Sequence, residues 1–243
     1  MATVNRRRVL GAALAVVAGG TAAHFAENRA LIQRTAAQSA FDVSAGPSGC
    51  GEIALLFNVG SGADPAVGIL ETLGAYGVPS TFFVMGWLAE ENPWLVQSIA
   101  DWGHVVGSHG YLPPELTSRS DDDIAADLVA ASGALTTALG YAPSPWFTPF
   151  AGASDERVRS IASSLGLVTV GWSVGSGDWN PGATAESIHS SVVGGAHDGA
   201  IVELHLDAQR SVDGTAVALP WIIDDLRAQG YRFVSVPAIT AGC

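Results

Sequence analysis

The chain has 243 residues, 48% hydrophobic and 14% charged, which is long enough for one large domain with a buried core and too apolar for a disordered protein. Lysine is absent: all 11 basic residues are arginine, and five of them fall in the first 40 residues, leaving six against 22 acidic side chains over 41–243. A body this acidic repels nucleic acid and anionic lipid, and a neutral or cationic partner suits it better.

At the N-terminus, Asn5-Arg6-Arg7-Arg8-Val9-Leu10-Gly11 leads into an apolar run over 9–23, a pattern that reads as an export signal. Two arginines, a spacer and an apolar pair fit a twin-arginine leader. An ordinary secretory signal or an uncleaved anchor also fits, because the run falls short of the ~20 residues that span a bilayer and Thr21-Ala22-Ala23 is a poor cleavage site. Residues 1–25 are therefore expected to be an export signal or membrane anchor, 26–49 a linker and 50–243 the domain. The protein is expected to be extracytoplasmic, secreted or anchored at the cell envelope, and to touch membrane only through its N-terminal segment. Cys50 precedes the first strand and Cys243 is the last residue. In an oxidising compartment they can bridge if the first and last strands are neighbours, or remain unrelated thiols.

The stretch Ile53-Ala54-Leu55-Leu56-Phe57-Asn58-Val59-Gly60 predicts a buried strand ending in a tight turn. A helix follows over 64–76, with Asp64-Pro65 as cap and first turn. After the breaker Gly77-Val78-Pro79 come a strand over 80–84, a helix over 93–102 and a short strand over 105–108. Asp121-Asp122-Asp123 opens a helix to 139, its acids suited to a positive helix N-terminus. Then follow a strand over 146–148, a helix over 155–165, a strand over 167–170 running toward Trp172, a helix over 184–193, a strand over 200–205, a helix over 216–229 and a last strand over 231–236. About seven strand–helix alternations predict a parallel sheet with outer helices. No Gly-x-Gly-x-x-Gly follows the first strand, so a barrel is expected in place of a dinucleotide fold. In such barrels chemistry sits at the C-terminal strand ends. Asn58, His109, Phe150, Asp178 and His205 fall there.

The order of motifs resembles the NodB-type polysaccharide deacetylases, carbohydrate esterase family 4, across nearly all of 50–240. Gly77-Val78-Pro79-Ser80-Thr81-Phe82-Phe83-Val84-Met85-Gly86 is similar to the family's second strand, and Gly103-His104-Val105-Val106-Gly107-Ser108-His109-Gly110-Tyr111 to the approach to its histidine motif. Gly177-Asp178-Trp179 resembles its Asp-Trp motif, and Gly199-Ala200-Ile201-Val202-Glu203-Leu204-His205 its C-terminal histidine motif. The resemblance implies a distorted (β/α)7 TIM-like barrel. It also implies removal of acetyl groups from N-acetylated sugars by a divalent metal held by one Asp and two His, with an Asp base oriented by an Arg and a His acid supported by a second Asp.

Placed on that pattern, the base position falls on Asn58, which cannot take a proton. The metal-ligand Asp falls on Val59, and the second metal His on Pro113, leaving His109 as the lone remnant ligand. The orienting Arg falls on Phe147 and the neighbouring aromatic hydroxyl on Phe150. The acid pair, His205 with Asp178, is kept. Trp179, with Phe150 and Tyr111, is placed to contact substrate; rim packing is the plainer role for Trp179. Glu203 stands where the family is normally apolar, and strand alternation puts it on one face with His205. Glu203, His205 and His109 either form a replacement site, as new base or makeshift metal cluster, or make a buried pair without chemistry.

These assignments lead to an exported, non-hydrolytic member of the family that binds cell-envelope glycan, peptidoglycan or chitin-like, or an envelope protein, and no nucleic acid. The alternatives are a working hydrolase of carbon–nitrogen bonds in N-acetylated glycans through the rebuilt site, and a structural or assembly role at the cell surface. No cofactor is expected, with zinc or another divalent metal only if the site still functions.

Overall fold

The structure, a computed structural model, describes residues 41–243; the expected leader over 1–25 and the first part of the linker lie outside the described residues. Eight parallel strands form a curled sheet with helices packed on its outer face. The elements are β1 Glu52–Val59, α1 Ala66–Tyr76, β2 Thr81–Val84, α2 Gly86–Glu91, α3 Pro93–Asp101, β3 Val105–Ser108, α4 Asp121–Leu139, β4 Trp146–Phe147, α5 Glu156–Ser164, β5 Val168–Thr169, β6 Val174–Gly175, α6 Ala185–Gly195, β7 Ala200–His205, α7 Ala216–Ala228, β8 Arg232–Val234 and α8 Val236–Ala241. The strand order is β5-β4-β3-β2-β1-β7-β6, with β8 joined to β1. This is the distorted (β/α) barrel expected from the motif order, left unclosed between β5 and β6.

β1 is the axis of the fold. All eight of its residues are buried, and its alternation sorts them into two layers. Ile53, Leu55, Phe57 and Val59 face a large core shared with α1, α3, α6 and α7. Ala54 and Leu56 face the barrel interior with Phe83, Val170, Ile201 and Ile239. Each such aliphatic side chain stabilises the fold by about 1.5–3 kcal/mol when fully buried. Asn58 continues the interior row at its upper end, in register with His205 of β7.

Local signals explain several helix ends. Ser120 accepts from Asp123 N ahead of the acidic first turn of α4, and Gly140 ends that helix at φ 79°. Thr184 and Ser187 make a reciprocal capping box at α6. The expected last strand over 231–236 is shorter. It stops at Val234, and Ser235 caps the additional short helix α8 by accepting from Ala238 N. The expected strand over 167–170 is likewise cut to Val168–Thr169, and Trp172 lies in the link to the separate β6.

The domain also extends upstream of the expected boundary at 50. Val43 bridges to Val170, just after β5, and Ala45 to Ala200 of β7, so this segment spans the open side of the barrel. Asp42 N donates to Thr169 O, and Thr169 N donates back to the Asp42 carboxylate. Cys50 and Cys243 are bridged, with Cα atoms 5.8 Å apart. Of the two alternatives for these cysteines, the bridge is the one formed. No described helix is long and apolar enough to cross a membrane.

Candidate functional site

A cavity of about 590 Å³ opens at the C-terminal ends of β1, β3 and β7, within the range of small-ligand sites. Its polar floor is made by Asn58, His109, Glu203 and His205, and its walls by Phe150, Trp172 and Trp179.

Asp178 organises one side. It is fully buried in the loop after β6. Its Oδ1 accepts from His205 Nδ1 at 2.8 Å, and its Oδ2 accepts from His205 N and Thr215 Oγ1, both at 2.8 Å. The carboxylate therefore sets both the backbone and the ring of His205, and Nε2 is left facing Glu203 Oε1 at 3.3 Å. Burial opposes a charged imidazole, but the hydrogen bond and charge of Asp178, with Glu203 and Asp207, outweigh it and raise the His205 pKa.

Glu203 is 3% exposed. Its Oε1 also accepts from Asn58 Nδ2 at 3.4 Å, so the base position and the unexpected carboxylate meet on the cavity floor. Burial pushes the Glu203 carboxyl up to about 7, against the opposing pull of His205. Asn58 Oδ1 is buried with no partner among the described residues.

His109 comes from the end of β3. Its Nδ1 lies 2.7 Å from the Thr148 carbonyl, so this nitrogen carries the hydrogen. Burial holds its pKa down at about 4, and the edge of the Phe150 ring meets it, centroids 6.0 Å apart. His109, Glu203 and His205 all line the cavity. Among the described residues the cluster with metal-ligand atoms within 4.8 Å of one another is Asp178, Glu203 and His205, without His109.

The family's metal does not fit the residues present. Val59 packs in the outer core and carries no donor atom. Pro113 does not line the cavity, and the turn around it is held by another cluster: Asp127 accepts from Tyr111 N at 2.7 Å and pairs with Arg119 at 2.7 Å, and Arg119 donates to the Pro114 carbonyl. Both oxygens of Asp178 and Nδ1 of His205 are already committed to hydrogen bonds. Phe147 is buried with Leu116, Ile124 and Val158, away from the cavity. Tyr111 is also parted from the site: its hydroxyl donates to Glu90 at 3.0 Å, and it does not line the cavity. Trp179 is 62% exposed at the rim.

Several lining residues escaped sequence reasoning, among them Ser61, Trp172, Gln209 and Asp207. Asp207, two residues past His205, accepts from the backbone N–H groups of Gly60, Ser61 and Gly62 at 2.7, 2.6 and 2.9 Å. The tight turn after β1 was visible; that its three amides converge on a carboxylate 145 residues away was not.

The sequence matches the family described as "Polysaccharide deacetylase" over residues 45–170. It is 32% identical over 194 residues to the peptidoglycan-N-acetylglucosamine deacetylase of Bacillus cereus, covering 80% of this chain and 70% of that protein. It is 35% identical over 184 residues to the peptidoglycan-N-acetylglucosamine deacetylase PgdA of Listeria monocytogenes, covering 76% of this chain but only 38% of that one. The solved structure of a carbohydrate esterase family 4 pseudoenzyme from Bacillus anthracis is similar with a TM-score of 0.75 at 28% identity, over 81% of this chain and 67% of that one. A mutant of that pseudoenzyme with restored enzymatic activity gives 0.75 at 26% identity, over 81% and 70%.

Proposed function

We propose that this chain, which belongs to the polysaccharide deacetylase family, holds cell-envelope glycan in its cavity without carrying out metal-assisted deacetylation. The observation that carries this reading is the contact between Asn58 and Glu203. At the position of a base there is an amide, and its Nδ2 donates to a buried carboxyl group. Val59 and Phe147, apolar and packed in hydrophobic cores, extend the same pattern. An arginine left without its carboxylate in such a place would be an unpaired buried charge, costing several kcal/mol; here both are apolar. The peptidoglycan-directed names of the relatives and the aromatic walls of the cavity support a sugar polymer as ligand. The basic and apolar N-terminal pattern supports delivery outside the cytoplasm.

The test is to incubate the purified full chain with peptidoglycan and with tetra-N-acetylchitotetraose, with and without added zinc. Binding without acetate release is the expected result. Acetate release that a chelator stops overturns the proposal.

A second reading rests on one specific contact. Glu203 faces His205 Nε2 at 3.3 Å, and its carboxyl titrates near 7, the range in which a general base works. A hydrolase rebuilt on these two residues predicts a chelator-insensitive turnover that Glu203→Gln abolishes. Equal rates in both proteins eliminate it.

A further inference from the structure

We infer that the ligand this cavity selects is a hexosamine with a free, charged amine: a stretch of glycan already deacetylated. The inference rests on the proposal that the cavity is a glycan site, and it specifies the chemistry at the amino group.

The cavity floor is rich in acceptors and poor in donors. Asn58 is 3% exposed and lines the cavity. Its Nδ2 is turned to Glu203, which fixes the amide so that Oδ1 is the free atom. That oxygen is buried and has no donor among the described residues, a state that costs free energy unless a ligand or water supplies one. The carboxyl groups of Glu203 and Asp207 line the same space. Against them stand His205, whose Nδ1 is bound to Asp178 and whose Nε2 faces Glu203, and the donors of Ser61, Gln209, Trp172 and Trp179. No arginine among the described residues lines the cavity, and the chain has no lysine. The nearest arginine in sequence, Arg210, is turned to Asp213 at 3.0 Å and to the Ala183 carbonyl at 3.1 Å.

A primary ammonium answers these deficits together. It carries three N–H donors on one atom and a positive charge, and it accepts nothing. One N–H can reach Asn58 Oδ1 while the charge offsets Glu203 and Asp207, in charge-assisted hydrogen bonds. An acetamido group offers one N–H and brings a carbonyl oxygen that needs a donor of its own. Trp172 and Trp179 provide faces for the sugar ring, and aromatic faces also attract cations. A divalent metal fits less well, because both oxygens of Asp178 are already taken.

The experiment is isothermal calorimetry on the full chain at neutral pH, with chelator and physiological salt. It compares the β-1,4 glucosamine tetramer with tetra-N-acetylchitotetraose. The expected result is a preference of about tenfold or more for the free-amine tetramer. Glu203→Gln should reduce that preference to within about twofold. Asn58→Ala, which leaves the carboxyl in place, is the second variant and should move the preference the same way. Equal binding, or preference for the acetylated tetramer, overturns this inference and leaves the glycan reading standing. Binding of neither tetramer removes both. A preference that survives both substitutions belongs to the general negative charge of the body and also overturns the inference.

Discussion

The two sides of the cavity have been treated differently. On the β7 side, Asp178, His205 and Thr215 form a closed hydrogen-bond set around a fully buried carboxylate. On the β1 and β3 side, Asn58 is half-satisfied, Val59 is part of a hydrophobic core and His109 is neutral and tied to a carbonyl. The difference shows that a site can keep one charged group when that group also holds the fold together. Asp178 orders the backbone at His205 and the start of the next helix, so removing it leaves three donors without a partner. Nothing comparable hangs on residue 58 or 59.

The largest effect should follow from breaking the kept side. Asp178→Ala is expected to destabilise the protein by about 3–5 kcal/mol, lowering the melting temperature by roughly 10 °C. Asn58→Ala should cost under about 1 kcal/mol. Thermal unfolding followed by circular dichroism checks the pair, and equal losses would erase the contrast between the two sides. Next in size is Cys50→Ser. It opens a crosslink spanning 193 residues and should cost about 2–4 kcal/mol by freeing the unfolded chain. Denaturant titration with and without reductant measures it.

Glu203 sharpens the comparison through pH. Its carboxyl is raised from 4.5 to about 7 in the folded protein, chiefly by burial, so between these values the native state holds a proton that the unfolded chain has lost. Stability from this group therefore falls as pH rises from about 4.5 to 7 and stays low above. The raised His205 works in the same sense above its unfolded value of 6.5. His104 and His109, lowered to about 4 by burial, work in the opposite sense between 4 and 6.5. Glu203→Gln isolates the carboxyl: the variant should match the native protein near pH 5 and exceed it by about 1–2 kcal/mol near pH 8. A constant difference across that range would contradict the assignment.

The smallest effect expected is a gain. Asn58→Asp, Val59→Asp and Pro113→His together restore the donor set that the resemblance implies, with Phe147→Arg as a further step. Binding of zinc should become measurable by calorimetry, with slow acetate release. Turnover stays low because the Pro113 turn is held by Asp127 and Arg119 and Phe147 sits in a hydrophobic cluster. Zinc bound stoichiometrically by the unsubstituted chain would reverse the comparison.

Much of this was legible in the residues themselves. Alternation along 200–205 placed Glu203 on one face with His205, and the tip of β1 brings both Asn58 and Val59 to the cavity. The acidic run 121–123 marked the start of α4. The short elements were less visible: β5 and β6 are two residues each, too short for periodicity, and α8 was announced only by Ser235 and Pro237. Asp207 and the Asp127–Arg119 pair were missed because most of their partners are backbone N–H and C=O groups, which all residue types carry alike.

The sequence by itself determined the layer to which each strand residue belongs, since the two-residue repeat of a strand is a local property. It also determined which donor atoms the cavity has available at all. Only the tertiary structure decided which of those atoms are already spent. Hydrogen bonds between Asp178 and His205, Glu203 and Asn58, and Asp207 and the β1 turn join strand ends and loops far apart in the chain, and their existence depends on how the curled sheet brings those ends to one mouth.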